Sequence, residues 1–245
     1  TSFVMTTSLK YFHGHGFEQS AFRNERVLTK RPRLEISTPD SIDWRDIDGV
    51  SYVSTTRNQH NPNYCGACWS FAATSALSDR FRIAQSSKTS EGHPGGVREI
   101  NPAMQVILNC DTYDNGCHGG DPITAYRYIH ENGIPEETCQ LYEVCNLSLL
   151  HSLMHIQHTR TRTQATGHDV GNTCNDIDVC MNCAPGKGCE AQQKYNTYRV
   201  DEYGLVNGTE NMMAEISSRG PIACTVAVTE GFESYDGGVF RDTTG

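Results

Sequence analysis

The chain has 245 residues, and its 29 acidic and 20 basic side chains give a formal net charge of -9. This length suffices for one large domain or for two lobes that share a cleft. The acidic balance disfavours nucleic acid as a partner, because phosphate backbones are repelled. No apolar run approaches the roughly 20 residues of a membrane-spanning helix, so we expect no membrane span.

Cysteine is unusually frequent, with 11 residues in the chain. Such a count fits an oxidising compartment, so we expect a lysosomal or extracellular protein of the secretory pathway. If ten cysteines pair, one thiol is left over. Four cysteines lie close enough in sequence to hold zinc or to form a disulfide knot: Cys174, Cys180, Cys183 and Cys189. The total count favours disulfides, and we predict neither a metal site nor a cofactor.

The first 37 residues differ from the rest of the chain. They lack cysteine and clear periodicity, and they contain the basic cluster Lys30-Arg31-Pro32-Arg33. We interpret residues 1–37 as a leader or pro-segment, with an ordinary ragged terminus as the alternative. Residues 38–245 form the predicted domain. No signal peptide or terminal cap is visible, so we expect both ends to be cut.

Helical patterns dominate the first part of this domain. After Cys68, the apolar residues Ala73, Leu77 and Phe81 recur at every fourth position. This spacing places them on one face of a helix.

Two further helices are indicated by their end signals. Asn101 and Pro102 form a predicted N-cap and first-turn pair for a helix through Leu108. Asp121 and Pro122 open the next helix, which Gly133 is predicted to end.

The final part changes from helical to strand patterns. A helix is predicted near residues 212–218 and a buried strand at residues 222–228, with Gly220 and Pro221 between them. A turn is predicted at Gly237 and Gly238. Helices first and strands last indicate an α+β fold whose β half has barely begun.

Residues 140–173 fit this domain poorly, because they contain four histidines and two arginines without a core pattern. Loops longer than about 15 residues are uncommon in compact domains. The stretch is either a surface insertion or not authentic coding sequence, and the missing pattern slightly favours the second reading.

The most informative motif is Cys65-Gly-Ala-Cys68-Trp69. The pattern C-G-[SA]-C-[WY] is typical of the segment around the nucleophile of papain-like peptidases. Cys68 would start the helix, where free backbone N–H groups favour a thiolate. Gln59 could donate a hydrogen bond to the oxyanion of a tetrahedral intermediate. The alternative is that Cys65 and Cys68 are both structural, as a disulfide or half of a zinc site.

With its neighbouring segments, this motif resembles the papain family of cysteine peptidases, and most closely its cathepsin X (cathepsin Z) group. The similarity covers most of residues 38–244, except 140–173. It implies a two-lobe fold, with the helical left lobe largely complete and the β-rich right lobe truncated at the C-terminus. The similar segments are DWRDIDGV at 43–50, TRNQ at 56–59, CGACW at 65–69, TSALSDR at 74–80, HENGIPEETC at 130–139, MMAEI at 212–216 and GP at 220–221.

The resemblance implies a cysteine-type carboxypeptidase that is monomeric and acts on peptide or protein substrates. Cys68 matches the nucleophile and Gln59 the oxyanion donor. His60, in the short insert with Asn61 and Pro62, is expected to grip the terminal carboxylate of the substrate through a charge-assisted hydrogen bond. From spacing alone, His60 could equally be a solvated loop histidine.

Further substrate-binding residues follow from the same resemblance. Gly119 and Gly120 match the glycine pair that lines the non-primed cleft, where backbone can approach backbone. Without the resemblance, a plain turn explains this pair as well. Trp69, next to the nucleophile, is also expected to contribute to substrate binding.

The family pattern also implies which cysteines pair. Cys68 stays free, Cys145 has no counterpart, and the partner of Cys224 is expected beyond residue 245. The implied disulfides are Cys65–Cys117, Cys110–Cys174, Cys139–Cys180 and Cys183–Cys189.

None of the ten histidines matches the catalytic histidine of the family, and the asparagine that orients it is not matched either. A papain-like enzyme needs both groups. We therefore expect little or no peptidase activity from this chain as given. The alternatives are a catalytically inactive homologue that binds peptides and a disulfide-rich binding module.

Overall fold

The structure, a computed structural model, describes residues 2–15, 38–86, 99–143, 174–226, 228–237 and 240–241. The sequence-based predictions for residues 144–173, including the one for Cys145, concern residues outside the described ranges. None of the helices in the described ranges is both long and apolar enough to cross a membrane.

The longest helix, α1 (Cys68–Ser86), is the one predicted from the apolar repeat. Ala73, Leu77 and Phe81 are buried in the main core, which confirms the prediction. The Tyr126 side chain packs into the same core, and its hydroxyl donates to the Ala73 carbonyl at 3.1 Å. Burial of this one face fixes the direction in which the first residue of α1 points.

Helix α2 (Met104–Cys110) starts later than predicted, and Asn101 is not its N-cap. Residues 101–103 instead form backbone hydrogen bonds with the segment after α3. The Ala103 N–H donates to the Pro135 carbonyl at 2.9 Å, and the Glu137 N–H donates to the Asn101 carbonyl at 2.8 Å. These backbone bonds hold the segment extended, so the helix begins only after them.

Helix α3 (Pro122–Asn132) has the ends that the sequence predicted. The Asp121 carboxylate accepts a hydrogen bond from the Ile123 N–H at 2.9 Å, which is an N-cap bond. Gly133, with a φ of 78°, ends the helix in a conformation that favours glycine.

The strands form two small sheets. Strand β1 (Ser2–His15) and the two-residue strand β2 (Ile134–Pro135) lie antiparallel on either side of β5 (Lys194–Asn207). After the short helix α4 (Asp176–Val179), strands β3 (Met181–Ala184) and β4 (Gly188–Ala191) form a hairpin. The sequence analysis predicted neither β1 nor β5.

Helix α5 (Thr209–Arg219) ends at Gly220, as predicted, and a short helix α6 (Glu230–Glu233) follows. The predicted buried strand at residues 222–228 is wrong. Ala223 is buried, but Val226 and Val228 are 65% and 62% exposed. Apolar β-branched residues form a buried strand only where a neighbouring strand and a core cover them, and the described residues do not cover these two.

Candidate active site

The free thiol of Cys68 marks the candidate site. Cys68 is the first residue of α1 and is exposed. The helix begins with the Phe71 N–H donating to the Ala67 carbonyl at 3.1 Å. An accessible sulfur at a helix N-terminus lies near unpaired backbone N–H groups, which stabilise negative charge.

The loop before Cys68 is tied to the loop at residues 115–120. Cys65 and Cys117 form a disulfide, and the Gly66 N–H donates to the Cys117 carbonyl at 2.8 Å. A Cβ atom at Gly66 would lie 2.6 Å from that carbonyl oxygen. The motif therefore needs glycine at position 66, because two backbones meet there.

The predicted glycine pair lies in this second loop, and Trp69 lies beneath it. Gly119 has a φ of +113°, which favours glycine. A Cβ atom at Gly120 would lie 2.6 Å from two carbons of the Trp69 indole. Trp69 itself is 2% exposed and donates through Nε1 to the Gly116 carbonyl at 3.1 Å. The indole thus packs against the glycine backbone and presents almost no surface to a ligand, so any contribution of Trp69 to substrate binding would pass through this backbone.

The side chains of Gln59 and His60 lie next to each other, on the loop that precedes Cys65. His60 is exposed, and its ring stacks on Tyr64 with a centroid distance of 4.6 Å and an interplanar angle of 6°. The Cys65 N–H donates to His60 Nδ1 at 3.4 Å, and His60 Nε2 lies 3.3 Å from the amide nitrogen Nε2 of Gln59.

The tautomer of His60 bears on the direction of the Gln59 amide. A neutral imidazole that accepts at Nδ1 carries its proton on Nε2, which makes Nε2 a donor. The amide satisfies this donor when its oxygen faces the ring, and amide orientation is assigned from such hydrogen-bond networks. In the structure it is the Gln59 nitrogen that faces His60 Nε2. Turning the amide by 180° would exchange its oxygen and nitrogen and direct the NH2 group away from His60, and a donor for an oxyanion must be such a group.

Tyr142 is a residue of this region that the sequence analysis did not identify. Its hydroxyl donates to the Gln59 backbone carbonyl at 2.6 Å, and its ring lies edge-on to Phe71 with a centroid distance of 4.8 Å. Burial raises the pKa of Tyr142 to about 12. It lies in the stretch that lacked a core pattern, and no motif in the sequence indicated this contact.

The cysteines pair as the resemblance implied. Cys174, Cys180, Cys183 and Cys189 all belong to disulfides, so they cannot ligate zinc as thiolates. Within the described ranges, no group of three or more His, Cys, Asp or Glu side chains could hold a metal ion. Cys68 and Cys224 are free. The four disulfides are Cys65–Cys117, Cys110–Cys174, Cys139–Cys180 and Cys183–Cys189.

The structure does not place a histidine against the thiol in the described part of the chain. His118 is exposed, and His130 Nδ1 lies 2.7 Å from the Val200 carbonyl oxygen. Among the side chains that the structure describes, none is hydrogen-bonded to Cys68 Sγ.

Comparison with known proteins identifies the class. Residues 38–245 match the family described as papain family cysteine protease. The fold is similar to that of procathepsin L2 proteinase from the larval midgut of Tenebrio molitor, with a TM-score of 0.58, 23% identity, and coverage of 94% of this chain and 58% of that chain. The chain belongs to the papain family of cysteine proteases and has its mixed helix-and-strand fold.

The chain is also similar to two curated proteins of the cathepsin type. Cathepsin Z of Onchocerca volvulus is 38% identical over 206 residues, which cover 84% of this chain and 56% of that protein. Cathepsin B-like cysteine proteinase 6 of Caenorhabditis elegans is 28% identical over 234 residues, with coverage of 91% and 55%. The chain therefore spans about half the length of these relatives.

Proposed function

We propose that the protein hydrolyses peptide bonds by acyl transfer to Cys68. The Sγ atom attacks the scissile carbonyl carbon, a C–S bond forms, and the carbonyl electron pair moves to oxygen. That oxyanion accepts a hydrogen bond from the Gln59 NH2 group. The amine leaves with a proton from a histidine, and water then releases the acid from sulfur. The observation that supports this proposal is the exposed free thiol at the first residue of α1.

The same observation disfavours the disulfide-rich binding module, which predicted a bonded Cys68. Cys65, three residues earlier, is fully committed to Cys117, while Cys68 has no disulfide. One cysteine of the C-x-x-C pair is therefore structural and the other is available for chemistry.

We further propose that the protein is a carboxypeptidase. His60 stands exposed beside Gln59, on the loop that precedes the nucleophile. The Nε2–H of the imidazole there would form a charge-assisted hydrogen bond with the terminal carboxylate of a peptide. A carboxylate held at that place limits cleavage to the last residue. Gly119 and Gly120 would bind the peptide backbone on the other side, with Trp69 as their support.

The 245-residue chain by itself is proposed to have little activity, because no histidine that the structure describes is hydrogen-bonded to Cys68 Sγ. The histidine and asparagine of the family come from its C-terminal lobe. We call the chain with such a C-terminal segment the extended protein. We also propose a pro-segment at residues 1–37, a monomer, and a lysosomal or extracellular location, which the four disulfides support.

The test is labelling with a peptidyl epoxide that alkylates papain-like nucleophiles, read by peptide mass spectrometry. We expect Cys68 to be labelled in the extended protein, much less in the 245-residue chain, and not in a Cys68→Ser variant. In the 245-residue chain, Cys224, which is also free among the described cysteines, serves as the internal control for general alkylation. Absence of Cys68 labelling in the extended protein would refute the peptidase mechanism.

Specificity is tested with matched peptides that differ only at the C-terminus. The extended protein should release the last residue from a free-acid peptide and leave the C-terminally amidated peptide intact. His60→Ala should reduce cleavage of the free acid by about tenfold or more, which is the worth of a charged hydrogen bond. Equal cleavage of both peptides would refute the carboxypeptidase assignment and leave the peptidase proposal standing.

A further inference from the structure

Tyr142 connects three parts of the candidate site. Its hydroxyl donates to the Gln59 carbonyl at 2.6 Å, across 83 positions of sequence, and its ring contacts Phe71 on the first turn of α1. We propose that Tyr142 is a positioning residue for Gln59: it holds the Gln59 backbone so that the side-chain NH2 faces the oxyanion formed at Cys68. This inference rests on the proposed peptidase function.

Tyr142 is suited to this role because the backbone on both sides of it is anchored. On one side, Cys139 is bonded to Cys180. On the other side, the Glu143 N–H donates to Gln105 Oε1 at 3.0 Å. A phenol on a segment fixed at both ends can hold a loop in place, whereas a phenol on a free loop would move with it.

The anchor at Gln105 is itself part of a buried network. Gln105 lies on α2, is 1% exposed, and donates through its amide to Asn109 Oδ1 at 2.9 Å. Asn109 in turn donates to the Asp178 carbonyl at 3.0 Å. These bonds direct the Gln105 oxygen towards Glu143 and thereby connect the position of Tyr142 to the core of the helical lobe.

The hydroxyl of Tyr142 positions Gln59 and does not act as a proton donor in the reaction. With its pKa raised to about 12 by burial, the phenol stays protonated through the neutral and acidic range. Among the described residues, the hydrogen bond of its hydroxyl is to the backbone carbonyl of Gln59. Its effect on catalysis must therefore pass through Gln59, so the test measures that effect with and without the Gln59 side chain.

The test compares Tyr142→Phe with Tyr128→Phe in the extended protein. Both changes remove one hydroxyl from a buried or partly buried ring. The Tyr128 hydroxyl has no hydrogen-bond partner among the described residues, so its loss breaks no bond. We expect Tyr142→Phe to lower kcat for a peptide substrate by about fivefold to tenfold, as for one lost hydrogen bond, with KM and Tm little changed. Tyr128→Phe should leave kcat unchanged.

Two further readouts separate positioning from a general structural role. Alkylation of Cys68 by iodoacetamide forms no oxyanion, so its rate should stay within about twofold in Tyr142→Phe. In a Gln59→Ala background there is no amide to position, so Tyr142→Phe should lower kcat by less than about twofold further.

The outcomes are distinct. The inference is overturned if Tyr142→Phe leaves kcat unchanged, slows alkylation as much as hydrolysis, or has its full effect in the Gln59→Ala background. If the unaltered extended protein shows no hydrolysis, or if Cys68→Ser retains it, the proposed function is wrong and the inference falls with it.

Discussion

At the scale of single residues, the contact between Gly120 and Trp69 allows little change. A Cβ atom at position 120 would lie 2.6 Å from the indole and 2.7 Å from the carboxyl carbon of Asp114. The indole is buried and hydrogen-bonded to Gly116, so it cannot move aside. We predict that Gly120→Ala destabilises the fold by about 1–3 kcal/mol, as overpacking does.

Thermal unfolding of Gly120→Ala against Gly231→Ala measures this effect. A Cβ atom at Gly231, in α6, would be no closer than 3.6 Å to a Phe240 ring atom, which is ordinary contact. The control should keep or slightly raise Tm, since alanine favours a helix over glycine. Equal Tm values for the two variants would show that the Trp69 indole can move to make room for the added methyl group, and would contradict the prediction.

Asp111 is the residue whose ionisation should make stability depend on pH. Burial first, and then the neighbouring Asp114 carboxyl, raise the pKa of Asp111 from 3.8 to about 7, although a hydrogen bond from the Tyr113 N–H opposes the shift. A folded pKa above the unfolded one means that the native state binds the proton more tightly. The stabilising contribution is therefore fully present below about pH 4 and is lost as the pH rises through about 7.

We therefore predict that Tm falls between pH 5 and pH 8, and that the fall is smaller in Asp111→Asn. Asparagine keeps the oxygen that accepts from Tyr113 but cannot ionise. Exposed Asp40→Asn is the matched control and should show the fall of the unaltered chain. A fall of unchanged size in Asp111→Asn would exclude Asp111 as its source.

At the scale of secondary-structure elements, local signals were sufficient only where the helix ends are determined locally. α3 is capped by Asp121 and Gly133, as predicted, because a side-chain cap and a glycine with positive φ depend only on residues adjacent to the helix ends. α2 begins later than predicted because the residues before it, Asn101 and Ala103, form backbone hydrogen bonds with Glu137 and Pro135. Strand β5 was missed although the buried Tyr198 and Val200 alternate with Arg199 and Asp201, because this alternation marks only a short part of a strand of 14 residues.

The packing of α5 against α1 depends on one buried arginine. Arg80 is 4% exposed and donates to Glu215 at 3.0 Å and to the Gly220 and Pro221 carbonyls at 3.0 and 2.7 Å. Glu215 also pairs with Arg219 at 2.6 Å. We predict that Arg80→Met destabilises the protein by about 3–5 kcal/mol, because it leaves a buried carboxylate and two carbonyls short of donors.

Denaturant unfolding of Arg80→Met beside Arg45→Met tests this prediction. Arg45 pairs with Asp43 at 2.6 Å, but both side chains are well exposed, so loss of this pair should change the midpoint little. The buried-pair argument fails if the two variants unfold at the same denaturant concentration.

At the scale of the whole molecule, the sequence indicated candidates for the chemistry of the site but not the residues that support them. Cys68 and Gln59 were proposed from a motif and His60 from the family resemblance, because the proposed reaction requires particular residue types near the nucleophile. Tyr142 and the place of Trp69 were not, since a hydroxyl on a distant backbone carbonyl and an indole beneath a glycine are products of tertiary packing. The supporting residues of this site therefore had to be read from the structure.

The disulfides should contribute to stability in the order of the chain lengths they close. Cys110–Cys174 joins the end of α2 to the segment before α4 across 64 positions, whereas Cys183–Cys189 closes only 6 positions in the β3–β4 hairpin. Loop-closure entropy gives about 4 kcal/mol for the long loop and about 2 kcal/mol for the short one.

Cys110→Ala/Cys174→Ala should therefore unfold at a clearly lower denaturant concentration than Cys183→Ala/Cys189→Ala. The difference should vanish when both variants and the unaltered chain are unfolded under reducing conditions, because the constraint on the unfolded chain is then gone. A larger loss from the hairpin pair would mean that native-state contacts, and not the closed loop, determine what each bridge contributes.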